Sequence, residues 1–226
     1  MIMKLRHRSP ALCMMCRYYA CYQELPVCKH CLADLQSILT EPCRTCGRGA
    51  NECECTGEDS HRFMFFYNSF RSRRLMYFLK YNADDEAIRF ISELAVEATG
   101  LKMSSFDGIT YVPRIRSREK RYGYDQSKKV ATELSRIYGI PVIHALRRVG
   151  GREQKLLSAS ERRKNIIGRY QLRLDRDMTK RYKKILLVDD IYTTGATVKA
   201  CKRILLDNVA EAVVPFTFAK TNFLKS

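Results

Sequence analysis

KKILLVDDIYTTGATVKACKRIL, residues 183–205, decides the fold. Ile185 to Val188 is a short apolar run rich in branched residues, which predicts a buried parallel strand. It ends in two adjacent carboxylates, Asp189 and Asp190. A turn of small and hydroxyl residues follows, Thr193-Thr194-Gly195-Ala196-Thr197, and then Val198, Cys201, Ile204 and Leu205 recur at helical spacing. The order is strand, acidic pair, tight loop, helix. Such a loop converges backbone N–H groups at a helix N-terminus, where phosphate is favoured. The carboxylates stand at the strand's C-terminal end, where open α/β sheets bind ligands. Carboxylates suit sugar hydroxyls and repel phosphate, so the two halves together suggest a ribose 5-phosphate site.

Outward from this stretch, strands and helices alternate, which implies a parallel sheet with right-handed crossovers. RFMFFYNSF (62–70) reads as a strand and turn, and 71–81 as a helix with Leu75, Met76, Phe78 and Leu79 inward. Asp84 or Asp85 caps a helix running to about Thr99, with Gly100 as its stop. Asp107–Pro113 is a strand, Gln126–Tyr138 a helix closed by Gly139, Pro141–Leu146 the next strand, and Ala212–Phe218 the last. The fold class is therefore α/β. The expected domains are a cysteine-rich module, 1–62, and a phosphate-binding domain, 63–226.

Nine of the ten cysteines precede residue 56. Two Cys-x2-Cys turns complete a tetrahedral zinc site. Cys13, Cys16, Cys28 and Cys31 have the spacing of a four-cysteine zinc ribbon. Cys43, Cys46, Cys53 and Cys55 could form a second, tighter site. No apolar run approaches the ~20 residues of a membrane span, and no secretory signal is evident, so the expected location is cytoplasmic, where disulfides are disfavoured. His7, His30 and His61 are further candidate ligands. With little apolar content in the module, metal would supply its folding energy. Chelation is then expected to unfold residues 1–60 alone.

The net charge is +17, and residues 114–184 hold 22 basic and seven acidic side chains. This concentration points to a polyanion partner. Within it, Arg114, Arg116, Arg118, Lys120 and Arg121 crowd beside Tyr122, Tyr124 and Gln126, just after a strand end. Arginine forks suit phosphate oxygens, and tyrosines stack on bases. A second basic loop, 147–165, contains Gly150-Gly151 and ends in Arg162, Arg163, Lys164 and Asn165.

The 183–205 stretch resembles the phosphoribosyl pyrophosphate (PRPP) motif of type I phosphoribosyltransferases. A four-cysteine module, then Val112-Pro113 with basic residues and Arg121-Tyr122-Gly123-Tyr124-Asp125-Gln126, then Gln154, Leu157, Arg162 and Asn165, then the PRPP motif, resemble the ComF/ComFC (GntX-like) competence family over essentially the whole chain. The family's Arg-Gly-aromatic-Asn-Gln is here longer by one residue, with Asp125 at the Asn position. The resemblance implies a type I phosphoribosyltransferase fold behind a zinc finger. It also implies binding of PRPP and single-stranded DNA, and a cytoplasmic role in DNA uptake during natural transformation, possible partners being a competence helicase or other uptake protein. PRPP would rest on Thr193–Thr197 with Arg114 on the pyrophosphate. Asp189 and Asp190 would hold the ribose with Mg2+, as the catalytic pair if transfer occurs. Arg116 to Gln126 and Arg162 to Lys164 would meet nucleic acid. The alternative is a phosphoribosyltransferase in nucleobase salvage or modification with no DNA role. No residue stands out as a base-activating acid or base.

Overall fold

The computed structural model describes residues 12–18, 26–50, 52–53, 61–114, 125–149, 169–173 and 182–221. Its centre is a four-stranded sheet in the order β1-β6-β5-β2, parallel throughout. The strands are β1 (Arg62–Phe66), β2 (Gly108–Tyr111), β5 (Tyr182–Tyr192) and β6 (Ala210–Lys220). Successive residues of β5 point to opposite faces. Leu186 and Val188 join the core under one helical layer, while Ile185 and Leu187 join the core under the other. All four are fully buried, each contributing about 1.5–3 kcal/mol. This is why the strand reads as an unbroken apolar run.

On the first face lie α2 (Phe70–Tyr81), α3 (Asp85–Thr99) and α4 (Gln126–Tyr138). The start signals hold: Asp84 accepts the Ala87 N–H at 2.9 Å, and α3 and α4 stop at Gly100 and Gly139. On the second face α5 (Ala196–Asn208) buries Val198, Cys201 and Leu205.

Two elements differ from the sequence reading. The strand expected at Pro141–Leu146 is reduced to one parallel bridge, Val142 to Ile109. Gly108 explains how closely this segment approaches: a Cβ there would lie 2.2 Å from Ile143 Cδ1. The chain then leaves the sheet and forms an antiparallel pair, β3 (Leu146–Arg148) with β4 (Tyr170–Leu172). The second difference is α1 (Lys29–Leu39), which opens on the second cysteine pair.

The cysteine module does not stand apart. Cys13, Cys28 and Cys31 belong to the same buried cluster as Leu35, Ile38, Met64, Phe65 and Leu75. Arg17–Asp84 (2.7 Å) and Arg71–Asp34 (2.8 Å) tie its surface to α3 and α2; both pairs are partly exposed and contribute modestly. Metal loss is therefore expected to reach β1 and α2, beyond the residues 1–60 that spacing alone suggested.

Candidate functional site

β5 runs past Val188 and carries both carboxylates to the C-terminal edge of the sheet. Asp189 Oδ1 accepts the Asp190 N–H at 2.9 Å and faces Ser127 Oγ at 3.5 Å. Asp190 Oδ1 accepts the Ile191 N–H at 2.7 Å. Its other oxygen meets Arg114 at 2.5 Å and Lys80 Nζ at 3.3 Å. Arg114 enters from the end of β2, and its own N–H donates to Asp125 Oδ2 at 2.9 Å. Asp125 is also the N-cap of α4, accepting from Lys128. The acidic residue at the Asn position thus caps a helix and pins the Arg114 backbone.

Burial, reinforced by the neighbouring Asp190 charge, pushes the Asp189 carboxyl up to about 8. The folded chain therefore holds a proton that the unfolded chain releases above the ordinary value of 3.8. Stability from this group falls as pH rises from about 4 to about 8 and is level beyond. Asp189→Asn keeps Oδ1 and cannot ionise. Its melting temperature is expected to match wild type near pH 4 and to exceed it progressively up to pH 8. Parallel melting curves across that range would contradict the shift.

The loop after β5 is set by Gly195, at φ +74°. A Cβ there would fall 2.1 Å from the Tyr192 hydroxyl, so the position excludes side chains both by conformation and by space. Gly195 is the N-cap of α5 and supplies no side-chain cap. Thr194 Oγ1 reaches the Ala196 N–H at 3.4 Å. The first-turn N–H groups and the positive end of the helix dipole are thereby turned to the same edge as the carboxylates. Thr193 and Thr194 are exposed, and Ala196 and Thr197 half-buried.

Three side chains here were not named individually in the sequence reading, although Arg148 belongs to the basic 147–165 loop. Lys80, in the last turn of α2, approaches Asp190. Tyr170 of β4 hydrogen-bonds Thr197 and is pushed up to about 12 by burial. The Arg148 guanidinium lies 5.4 Å over the Tyr170 ring, with Nε buried and unpartnered. Gln126, expected on a nucleic-acid surface, is instead 3% exposed, its amide donating to the Lys80 carbonyl at 2.6 Å. Arg116, Arg118, Lys120, Arg121, Tyr122, Tyr124, Arg162, Arg163, Lys164 and Cys55 lie outside the described residues.

The cysteines form two groups. In the first, the Cys13, Cys16, Cys28 and Cys31 sulfurs all lie within 4.8 Å of one another, with Cys16 to Cys28 at 3.9 Å. Zinc bonds of about 2.3 Å put tetrahedral sulfurs roughly 3.8 Å apart, so this donor set fits zinc. Cys28 also accepts the Cys31 N–H at the start of α1. The second group is Cys43, Cys46 and Cys53, with Cys46 to Cys53 at 3.9 Å. Burial raises the Cys43 thiol, but N–H groups of Cys46 and Thr45 and the Cys53 thiol bring it down to about 6. Lys220 Nζ stands 3.8 Å from Cys53 and over the Phe63 ring. His61 belongs to neither group. It stacks on Tyr192 at 4.2 Å and bonds Thr217 at 3.0 Å.

No protein-family model matches the chain. It is 33% identical over 101 residues to Competence protein F of Haemophilus influenzae, 44% of each chain, so that relative is matched over less than half its length. It is 27% identical over 212 residues to Competence protein ComFC of Bacillus subtilis, covering 86% of this chain and 84% of that one. The resemblance read from the motifs is borne out by these two relatives. Among solved structures it is similar to the glutamine PRPP amidotransferase of B. subtilis, at 17% identity and a TM-score of 0.42, over 63% of this chain and 30% of that one. It is also similar to the adenine phosphoribosyltransferase of Leishmania tarentolae, at 13% identity and a TM-score of 0.37, over 61% and 72%. Among the described residues no helix is long and apolar enough to cross a membrane.

Proposed function

We propose that this chain binds PRPP at the loop after β5 and single-stranded DNA on its basic surface, and acts in DNA uptake during natural transformation on the cytoplasmic side of the membrane. One observation carries the PRPP reading: paired carboxylates lie near the end of β5, and a helix N-terminus whose N-cap, Gly195, has no side chain opens beside them, both on one edge of the sheet. The names of the two competence relatives support the biological role. The division at residue 62 is part of the reading, since β1 opens there.

In this reading the 5-phosphate rests on the Thr193–Thr197 backbone, and Asp189 and Asp190 receive the ribose hydroxyls. Arg114 and Lys80, which neutralise Asp190, turn toward the pyrophosphate. Oxygen donors of this kind suit Mg2+, which would supply charge neutralisation on the pyrophosphate. Asp189 gives up its proton as cations gather at the site, so binding is accompanied by proton release near neutral pH. Zinc holds the first cysteine group, and the second group takes another ion.

Pyrophosphate release from PRPP, assayed across free nucleobases and single-stranded DNA, separates transfer from binding alone. Release that requires one acceptor and is lost in Asp189→Asn/Asp190→Asn makes the chain a transferase and names its substrate. Bound PRPP without release makes it a PRPP-responsive DNA-binding protein.

A further inference from the structure

A second basic site lies at the opposite edge of the same sheet. β1 first meets β6 at Phe216. Ala212–Val214 of β6 therefore have β5 on one side and no described strand on the other. A groove of about 680 Å³ opens there. Its floor is apolar, from Leu101, Val213 and Leu206, and its walls carry Arg62, Lys102, Lys184 and Lys202. No carboxylate is among the lining residues. Asp107, beside the groove, spends its Oδ2 on the Lys183 and Lys184 N–H groups, at 2.7 and 3.1 Å. Burial, Lys220, Arg62 and Lys202 in turn hold the buried His61 neutral, down to about 3.

The cations come from four separate segments: β1, the α3–β2 connection, β5 and α5. Arg62 and Lys184 stand on strands with β6 between them, roughly 10 Å apart in the sheet plane alone. The two therefore reach the groove from opposite sides of β6, an arrangement suited to successive phosphates of a chain. Lys184 is the last of the basic run in 114–184, so the run that carries the excess charge ends in this groove. Asp189 is five residue steps along β5 from Lys184, about 17 Å at strand rise. A ligand here leaves the PRPP site open.

We propose that this groove carries the phosphodiester backbone of single-stranded nucleic acid, at the sheet edge opposite the Asp189–Asp190 site. The inference rests on the DNA-binding reading above and gives it a location. The alkyl stems of Lys184 and Lys202 and the floor from Leu101 and Val213 would lie against sugars, and the charged heads would meet phosphates.

The test uses the full-length zinc-loaded chain and a fluorescent oligo-dT probe over a sodium chloride series. Lys102 is exposed and Lys202 half-buried, so Lys102→Gln/Lys202→Gln is expected to fold and to bind PRPP as wild type does. It should bind the probe about tenfold more weakly, and its log K against log salt slope should be shallower by about 1.4, at 0.7 per phosphate. Arg89→Gln/Arg136→Gln removes equal charge from α3 and α4 and should move affinity less than about twofold. Equal effects from the two pairs, or an unchanged slope in the groove pair, would overturn the assignment while leaving DNA binding intact. Failure of the wild-type chain to bind the probe would overturn both.

Discussion

Cys31→Ser is expected to remove one zinc per chain and to abolish the cooperative melt of the whole protein. Cys31 is 5% exposed and packs in one cluster with Leu35, Met64, Phe65 and Leu75. Burial, together with the nearby Cys13 sulfur, pushes its thiol upward. With no ion, the three remaining sulfurs and the substituted hydroxyl are held in an apolar site with weak partners. Structural zinc in small modules contributes about 10–16 kcal/mol of apparent binding energy. A domain's total stability is only about 5–15 kcal/mol. The loss is therefore as large as the stability of the whole domain. The measurements are zinc content and amide exchange along β1 and β5. Loss of protection in Phe63–Phe66 with the module would show that the shared core is real. Protection retained in β1 and β5 while 12–40 exchange freely would restore the picture of an independent finger.

Gly195→Ala is expected to weaken PRPP binding at least about 100-fold, a change of about 2.7 kcal/mol. Left-handed backbone costs a residue with a Cβ about 1–2 kcal/mol. The new methyl also meets the Tyr192 hydroxyl at 2.1 Å and the ring carbon behind it at 2.4 Å. Tyr192 is 4% exposed and held by the His61 stack, so the ring cannot swing away cheaply. The loop must shift, and its N–H groups lose their common aim. Titration of PRPP by calorimetry checks this. An affinity within threefold of wild type would mean that the loop tolerates the shift or that the ligand rests elsewhere.

How much of this was legible in the sequence depends on the range of the interactions. β5, the turn and α5 were readable because local signals agree: an apolar run, a small-residue loop, and helical spacing after it. Asp84, Gly100 and Gly139 marked helix ends through capping chemistry that acts within three or four residues. The cysteine spacing announced both cysteine groups for the same reason. What escaped was non-local or masked by a stronger pattern. Lys29–Leu39 carries Leu32, Leu35, Ile38 and Leu39 at helical spacing, but cysteine pairs drew the reading toward a ribbon. β3 and β4 are three residues each and pair across a long insertion, so no local period reports them. The Arg114–Asp190 pair joins residues 76 apart, and Lys80 reaches the same carboxylate from α2. Gln126 looked like a surface residue by its company of arginines, yet its place in the first turn of α4 turns it inward to Lys80.

We propose that Asp189, Asp190 and the Gly195 loop together form the PRPP site. Direct titration of PRPP with Mg2+ into the wild-type chain and into Asp189→Asn/Asp190→Asn tests it. The double variant cannot ionise at either position but keeps the side-chain shape and the oxygens that accept the Asp190 and Ile191 N–H groups. The prediction is saturable binding to wild type, with proton release near pH 7, and affinity reduced at least about 100-fold in a variant that is still folded by its cooperative melt. Equal affinity in the two proteins, or no binding to either, would contradict it.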